Sequence, residues 1–378
     1  MQYHRMLSPA VSRSVSIAGA VARTAVLYWC VLSLTFVLLR LAPGDPTTFL
    51  LPPDASVADA ARLRATLGLD RPVPAQYARW SQRMLHGDLG TSLKEGRPVV
   101  AVLRDALPVS LALGGASLLL SFLVGTIVGI VQGARRGTYT DFTLTIISVV
   151  LAASPAYWLG LGAIALFTYV ASSLSLPLWA RLPAVGMTTP GADLHGLAHL
   201  MDLLRHSILP VTLLASIGAA GVARYVRTSA LDVLDADWVR TARAKGLPER
   251  TVLGRHLLAN MRAPLVTLFA LALPGTVAGS VFVETIFGWP GMGRLMVTSI
   301  TARDYPVVLG SAAAYALLVI VANLVAESLL PWADPRRREL DDERIAPAPA
   351  RGERGHRRAR GARASRARRD SRAGARIA

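Results

Sequence analysis

The stretch LPVSLALGGASLLLSFLVGTIVGIV, Leu107–Val131, indicates the class to which this fold belongs. It runs for 25 residues without a charged side chain. About 20 consecutive apolar residues are enough for an α-helix to cross the hydrocarbon core of a bilayer. The stretch therefore predicts a membrane-spanning helix, and the rest of the chain can be compared with it.

Five further runs share this length and this scarcity of charge, in a chain that is 52% hydrophobic and 17% charged. They are Val21–Leu41, Phe142–Val170, Ile208–Val226, Pro264–Val283 and Val307–Leu330. A soluble core does not need six such segments, so we predict an all-α polytopic membrane protein with six transmembrane helices. The first run exceeds the roughly 7–15 apolar residues of a signal peptide, which favours an uncleaved anchor.

The basic residues indicate the orientation. With the N-terminus inside, the short inner segments hold 12 arginine and lysine residues and the short outer loops hold 4. Basic residues collect in cytoplasmic loops, so both termini are predicted to be cytoplasmic. The domains expected are a cytoplasmic N-terminus (1–20), the first span (21–41), a small helical extracytoplasmic domain (42–106), the remaining spans (107–335) and a tail (336–378). The extracytoplasmic domain is interpreted either as a cap or as a docking surface for a substrate-delivering protein.

The tail Arg336–Ala378 carries 15 arginines and 6 acidic residues, which is more than half of the net charge of +17. It has almost no large apolar residues, so we predict a disordered basic cytoplasmic tail. Basic clusters beside a membrane are attracted to anionic lipid. Since no aromatic residue is present to stack on bases, we expect membrane lipid rather than nucleic acid as its partner.

Several classes of function are disfavoured by absent motifs. Cys30 is the single cysteine, and neither lysine, Lys94 nor Lys245, belongs to a phosphate-binding GxxxxGK[ST] loop. His195 and His199 lie in HGLAH, which lacks the glutamate of HExxH. We therefore expect no catalytic residues, no metal site and no cofactor, and interpret the chain as something other than an enzyme.

The segment Tyr225–Val266 contains the most informative loop. Its apolar residues recur at helical spacing among charges, Gly246 interrupts the pattern, and Leu247-Pro248-Glu249 begins a second helix. Two short amphipathic helices joined by a glycine turn are suited equally to a partner protein and to the membrane surface. From the residues alone, both interpretations stay open.

This loop resembles the EAA motif of the permease subunits of binding-protein-dependent ABC importers. Arg240-Thr-Ala-Arg-Ala-Lys-Gly246 fits the family pattern at its second alanine and its glycine, and Arg240 stands where the leading glutamate is usual. The sequence D-W-V-R-T-A-R-A-K-G-L is similar to the dipeptide/oligopeptide/nickel branch of these importers, specifically to the first of the two permeases in that branch. Further motifs of that branch follow in order over Val21–Pro335: Leu41-Ala-Pro-Gly-Asp-Pro46, Leu67-Gly-Leu-Asp-Arg-Pro72, Gly87-Asp-Leu-Gly90, Glu284-Thr-Ile-Phe-Gly-Trp-Pro-Gly-Met-Gly-Arg294 and Arg303-Asp-Tyr-Pro306.

The resemblance implies a MetI-like ABC permease fold in a bacterial cytoplasmic (inner) membrane. It implies a second homologous permease subunit, two cytoplasmic ATP-binding subunits, in which ATP is hydrolysed, and an extracytoplasmic solute-binding protein. The chain would form a pathway for peptides or a similar small solute. Within the loop 227–262, the residues implied to couple to the ATPase are consecutive: Asp237, Trp238, Val239, Arg240, Thr241, Ala242, Arg243, Ala244, Lys245 and Gly246.

Glu284 is the ionisable residue nearest the hydrocarbon at the outer end of the fifth span. A carboxylate at that depth needs a partner, so we expect an intramembrane ion pair with Arg294 or Arg303, or else contact with the solute. Gly125/Gly129 and Gly275/Gly279 are GxxxG pairs, which serve packing either within one subunit or between subunits. The alternative to an ABC permease is a secondary transporter, or another polytopic protein without ATPase partners. Substrate-lining residues are not identifiable from the sequence.

Overall fold

The computed structural model describes residues 9–42, 47, 51, 54–177, 180–278 and 281–333. Val15–Ala333 forms one compact unit. The predicted basic tail 336–378 lies outside the described residues. Residues 1–8 of the predicted cytoplasmic N-terminus also lie outside them.

The described residues are helical, with one isolated antiparallel bridge between Thr91 and Pro98. The α-helices are, in chain order, α1 (Pro9–Leu41), α2 (Val57–Leu67), α3 (Val73–Leu85), α4 (Val99–Ala134), α5 (Tyr139–Ala153), α6 (Ala156–Ile164), α7 (Leu197–Leu234), α8 (Asp237–Ala244), α9 (Leu258–Ala278), α10 (Val281–Ile286), α11 (Met292–Thr301) and α12 (Tyr305–Ala333). Short π-helical segments, Ala165–Val170 and Val252–Leu257, follow α6 and precede α9. Within this part of the chain, six helical stretches are long and apolar enough to cross a membrane.

The helices begin and end outside several of the apolar runs, and two of these differences are informative. The run Phe142–Val170 is divided into α5 and α6 at Ser154-Pro155, because the residue before a proline is pushed out of the α-helical region; Ser154 has φ −78° and ψ 132°. Helix α7 begins at Leu197, eleven residues before the apolar run at Ile208. Its first three turns contain histidines and charged side chains, so hydropathy alone predicts a loop there.

Helices α4 and α7 form the centre of the bundle, and glycine allows their close contact. A Cβ on Gly125 would lie 2.6 Å from the Val222 Cβ, and one on Gly129 would lie 2.6 Å from the Ala223 carbonyl oxygen. The Gly125/Gly129 pair therefore packs within this subunit, which is one of the two interpretations given for it above. A Cβ on Gly275 would meet nothing within 4 Å, and Gly279 lies outside the described residues.

The two ends of the bundle are held by different contacts. At the end where α4, α7 and α8 meet, here called the Gly246 end, Arg136 Nη1 donates to Asp235 Oδ2 at 3.2 Å. At the opposite end, here called the Asp304 end, buried Asp304 accepts hydrogen bonds from Ser92 Oγ at 2.6 Å and from the Leu93 N–H at 3.1 Å. These bonds fix the segment before α4 to the start of α12, and they bring two of the quoted motifs together.

Candidate functional site

Helix α8, at the Gly246 end, rests on its own chain through one face. Val239 is fully buried and Ala242 is 7% exposed. Val239 belongs to an apolar cluster to which α7, the segment before α9 and α9 itself contribute: Val226, Ala230, Leu234, Val252, Leu257 and Met261. Removing this apolar surface from water holds α8 in place. Two residues of the predicted coupling loop are therefore turned inward and support the helix.

The other face of α8 is open. Trp238 is 43% exposed and its ring centroid lies 6.0 Å from that of His256. Seven further members of the loop are exposed: Asp237, Arg240, Thr241, Arg243, Ala244, Lys245 and Gly246. An aromatic side chain among arginines and a lysine is a composition suited to a protein partner, since tryptophan and arginine are enriched at binding hot spots. The structure thus sorts the predicted residues into a seated face and an exposed face.

Gly246 ends α8 with a backbone conformation that favours glycine. Its φ is +77°, and its N–H donates to the Arg243 carbonyl oxygen at 2.9 Å. A Cβ at this position would meet nothing within 4 Å. The requirement for glycine therefore comes from the left-handed backbone rather than from crowding.

A salt bridge closes the turn that follows. Arg243 Nη2 donates to Glu249 Oε1 at 2.7 Å, and Arg243 Nε donates to Glu249 Oε2 at 3.3 Å. The hydrogen bond with Glu249 raises the pKa of the Arg243 guanidinium. Both side chains are about half exposed, so the pair contributes more to the shape of the turn than to stability.

An ion pair that the sequence analysis missed links α5 to α7 near this loop. Arg227 Nε and Nη2 each donate to an Asp141 carboxylate oxygen at 2.8 Å, and the Gly137 N–H donates to Asp141 at 3.1 Å. The Asp141 side chain is buried. The partners are 86 residues apart, so no local pattern points to them; the only local signal is Thr138, which caps the N-terminus of α5.

We expect the Asp141–Arg227 pair to contribute about 1–3 kcal/mol to stability, because charge-assisted bidentate bonds between largely buried groups are the strong kind. A double-mutant cycle of Asp141→Ala and Arg227→Ala, followed by thermal unfolding in detergent, measures that coupling. Arg136→Ala and Asp235→Ala form the matched control, because that pair is exposed and is expected to couple by less than about 0.5 kcal/mol. Equal coupling in the two cycles would contradict the prediction.

Glu284, at the Asp304 end, is fully buried and accepts several hydrogen bonds. Ser110 Oγ donates to its Oε1 at 2.6 Å, and the N–H groups of Gly293 and Arg294 donate to its Oε2 at 2.7 and 3.1 Å. The Arg294 guanidinium donates instead to the Gly288 carbonyl oxygen. Arg294 thus contributes its backbone N–H to Glu284, and the side-chain ion pair stays a prediction.

The Glu284 contacts require two glycines in the loop after α10. A Cβ on Gly291 would lie 2.5 Å from the Glu284 carboxyl carbon, and a Cβ on Gly293 would lie 2.5 Å from the Val281 Cα. Only a backbone without side chains lets the start of α11 approach the carboxylate this closely. The carboxylate is also at the positive end of α11, where a negative charge is favoured. The geometry is that of a structural anchor.

Comparison with known proteins shows the family. Residues 125–339 match the family described as the binding-protein-dependent transport system inner membrane component. Residues 17–114 match the N-terminal family of the same transport system membrane components. The chain belongs to this family. The prediction of an all-α polytopic permease with six transmembrane helices is confirmed.

Individual relatives agree with that assignment. The chain is 38% identical to the oligopeptide transport system permease protein AppB of Bacillus subtilis, over 80% of this chain and 92% of AppB. It is also 38% identical to the probable D,D-dipeptide transport system permease protein DdpB of Escherichia coli, over 80% of this chain and 91% of that protein. Among solved structures, the inward-facing MetNI methionine ABC transporter is 16% identical, with a TM-score of 0.45 and coverage of 62% of this chain and 97% of that chain.

Family membership makes the chain a multi-pass membrane permease subunit of an ABC importer. The relatives are permease subunits, which agrees with the interpretation of this chain as a transport component rather than an enzyme. The alternative of a secondary transporter is not favoured. Subunits of this family work with ATPase and binding-protein partners.

Proposed function

We propose that this permease, paired with a second homologous subunit, forms the pathway of an ABC importer for peptides or a similar small solute. The observation that carries the solute class is the 38% identity, over 80% of the chain, to permeases whose names specify oligopeptide and D,D-dipeptide transport. In this arrangement the chain provides the membrane pathway, and two cytoplasmic ATP-binding subunits hydrolyse ATP.

The exposed face of α8 is the proposed contact with one ATPase subunit. Because Val239 packs in one apolar cluster with residues of α7, a displacement of α8 by the ATPase passes directly to a bundle helix. This is rigid-body transmission through a docked element. In this proposal the Gly246 end faces the cytoplasm, where both termini are predicted to lie, and the described part of residues 42–106, at the Asp304 end, faces the solute-binding protein.

Uptake into proteoliposomes tests the solute class. Vesicles holding the complete transporter, with its binding protein outside, should accumulate a labelled oligopeptide only when the ATPase subunits and ATP are present. Unlabelled peptide should compete, whereas a nickel complex or glutathione should not. Competition by nickel or glutathione instead would overturn the peptide assignment, and accumulation without ATPase subunits would favour a secondary transporter.

A further inference from the structure

A cavity of about 290 Å³ lies at the Asp304 end, between α1, α3 and the start of α12. Its wall combines aromatic side chains with several arginines. The aromatic residues are Phe36, Trp80 and Tyr305, and the arginines are Arg40, Arg71, Arg79 and Arg83. No aspartate or glutamate among the described residues contributes to the wall. The function proposed above gives this cavity no role.

The four arginines carry charge that the described residues do not neutralise. Arginines elsewhere in this region form ion pairs, such as Arg97 with Asp105 at 2.7 Å and Arg62 with Asp59 at 3.8 Å. The ion pairs in the described part of the chain include none of the four that line the cavity. Like charges gathered in one concave site raise the local concentration of an anion.

Arg40 is held in position by aromatic rings. Its guanidinium carbon lies 5.3 Å from the centroid of the Phe36 ring and 5.4 Å from that of Tyr305. Stacking engages the flat faces of a guanidinium and leaves its N–H donors in the plane, where they match the oxygens of a phosphate. The cavity therefore has an oriented donor group as well as positive charge.

The cavity lies at the level where apolar helices end. Arg40 is the penultimate residue of α1 and Tyr305 is the first of α12, and both helices are candidate membrane spans. Trp80 of α3 packs on Phe36 with centroids 5.3 Å apart. Tryptophan and tyrosine collect at membrane–water interfaces, and arginine side chains there reach the head groups. The setting is that of the phosphate layer of the leaflet on the Asp304 side.

Apolar surface suited to acyl chains adjoins the cavity. Exposed apolar side chains flank Arg40 on α1: Val37, one turn before it, is 43% exposed, and Leu41, the next residue, is 74% exposed. A soluble anion makes no use of this surface, whereas a lipid with its phosphate in the cavity can lay its chains along it. We propose that the cavity binds the phosphate of an anionic phospholipid, such as phosphatidylglycerol, in that leaflet.

Native mass spectrometry of the intact purified transporter, incubated with equal amounts of phosphatidylglycerol and phosphatidylcholine, tests the proposal. The double variant Arg79→Gln/Arg83→Gln removes two charges of the cavity, and Arg62→Gln/Arg104→Gln removes two exposed charges outside it. At about fivefold for each basic residue, affinity for phosphatidylglycerol should fall about 25-fold in the first variant. We expect less than about twofold loss in the second, and unchanged retention of phosphatidylcholine in both.

Four results would overturn the proposal. The first is equal retention of the two lipids by the wild-type transporter. The second is equal loss of phosphatidylglycerol by the two variants. Either result would indicate non-specific attraction. Displacement of the lipid by millimolar inorganic phosphate would identify a soluble anion as the occupant. If Arg79→Gln/Arg83→Gln keeps its lipid but captures the solute-binding protein less well, the cavity is a docking site for that protein.

Discussion

Replacing Gly246 by valine is expected to lower ATP-dependent uptake at least about tenfold while membrane insertion stays unchanged. The backbone at Gly246 has φ +77°, where an L-residue costs about 1–2 kcal/mol and a β-branched one is strained further. A change of about 1.4 kcal/mol is a factor of ten in an equilibrium. The turn would relax to another conformation, and α8 would no longer be held at its present angle to the segment after Pro248. Uptake and ATPase activity of the reconstituted transporter measure the effect.

Two control variants separate backbone strain from steric contact with a partner. Gly246→Asn also adds a side chain, but asparagine tolerates the left-handed region, so it should keep most of the uptake. Gly254→Val adds the same branched side chain at a helical position where a Cβ meets nothing within 4 Å. Normal uptake by Gly246→Val would show that α8 does not couple transport to ATP hydrolysis. Equal losses in the valine and asparagine variants would point to a contact that any side chain blocks.

Replacing Glu284 by alanine should destabilise the permease by about 3–5 kcal/mol. The change leaves the N–H groups of Gly293 and Arg294 and the Ser110 hydroxyl without their buried acceptor, and each such group is costly. It also leaves a void between α10 and α11. We expect a melting temperature in detergent lower by about 10 °C and less protein in the membrane.

Graded controls identify the cause of that loss. Glu284→Gln keeps one acceptor oxygen and the side-chain volume, so its melting temperature should fall between those of wild type and Glu284→Ala. Glu327→Ala removes an exposed carboxylate from α12 and should change little. A stable Glu284→Ala variant that has lost uptake would reverse the interpretation, since it would favour contact with the solute over anchoring.

Features that depend on residues close together in the sequence could be predicted, whereas features that depend on distant residues could not. The helix α8 and the turn at Gly246 depend on neighbouring residues, and the structure has both near their predicted positions. The partner of Glu284 depends on how the loop folds back. A nearby arginine suggested a charge pair, but the glycines at 291 and 293 let backbone N–H groups reach the Glu284 carboxylate, which the Gly293 N–H approaches to 2.7 Å.

Longer-range features were beyond sequence reasoning. The Asp141–Arg227 pair joins residues 86 apart, and only the packing of α5 on α7 brings them together. Apolar composition predicted a single span over Phe142–Val170, but it does not register the break at Pro155, which divides that run into α5 and α6. The role of Val239 and Ala242 as the seated face of α8 likewise depends on which side of a short helix meets the bundle.

Helix α7 runs unbroken for 38 residues, from the Asp304 end to the turn before α8, so it is about 57 Å long. Each residue of an α-helix advances the side chains by about 100°. The direction in which side chains point at Leu197 is therefore fixed relative to the direction at Leu234. A single residue inserted between them would rotate one end of the helix relative to the other. The number of residues in α7, and not only their kinds, is thus a determinant of how the two membrane faces are aligned.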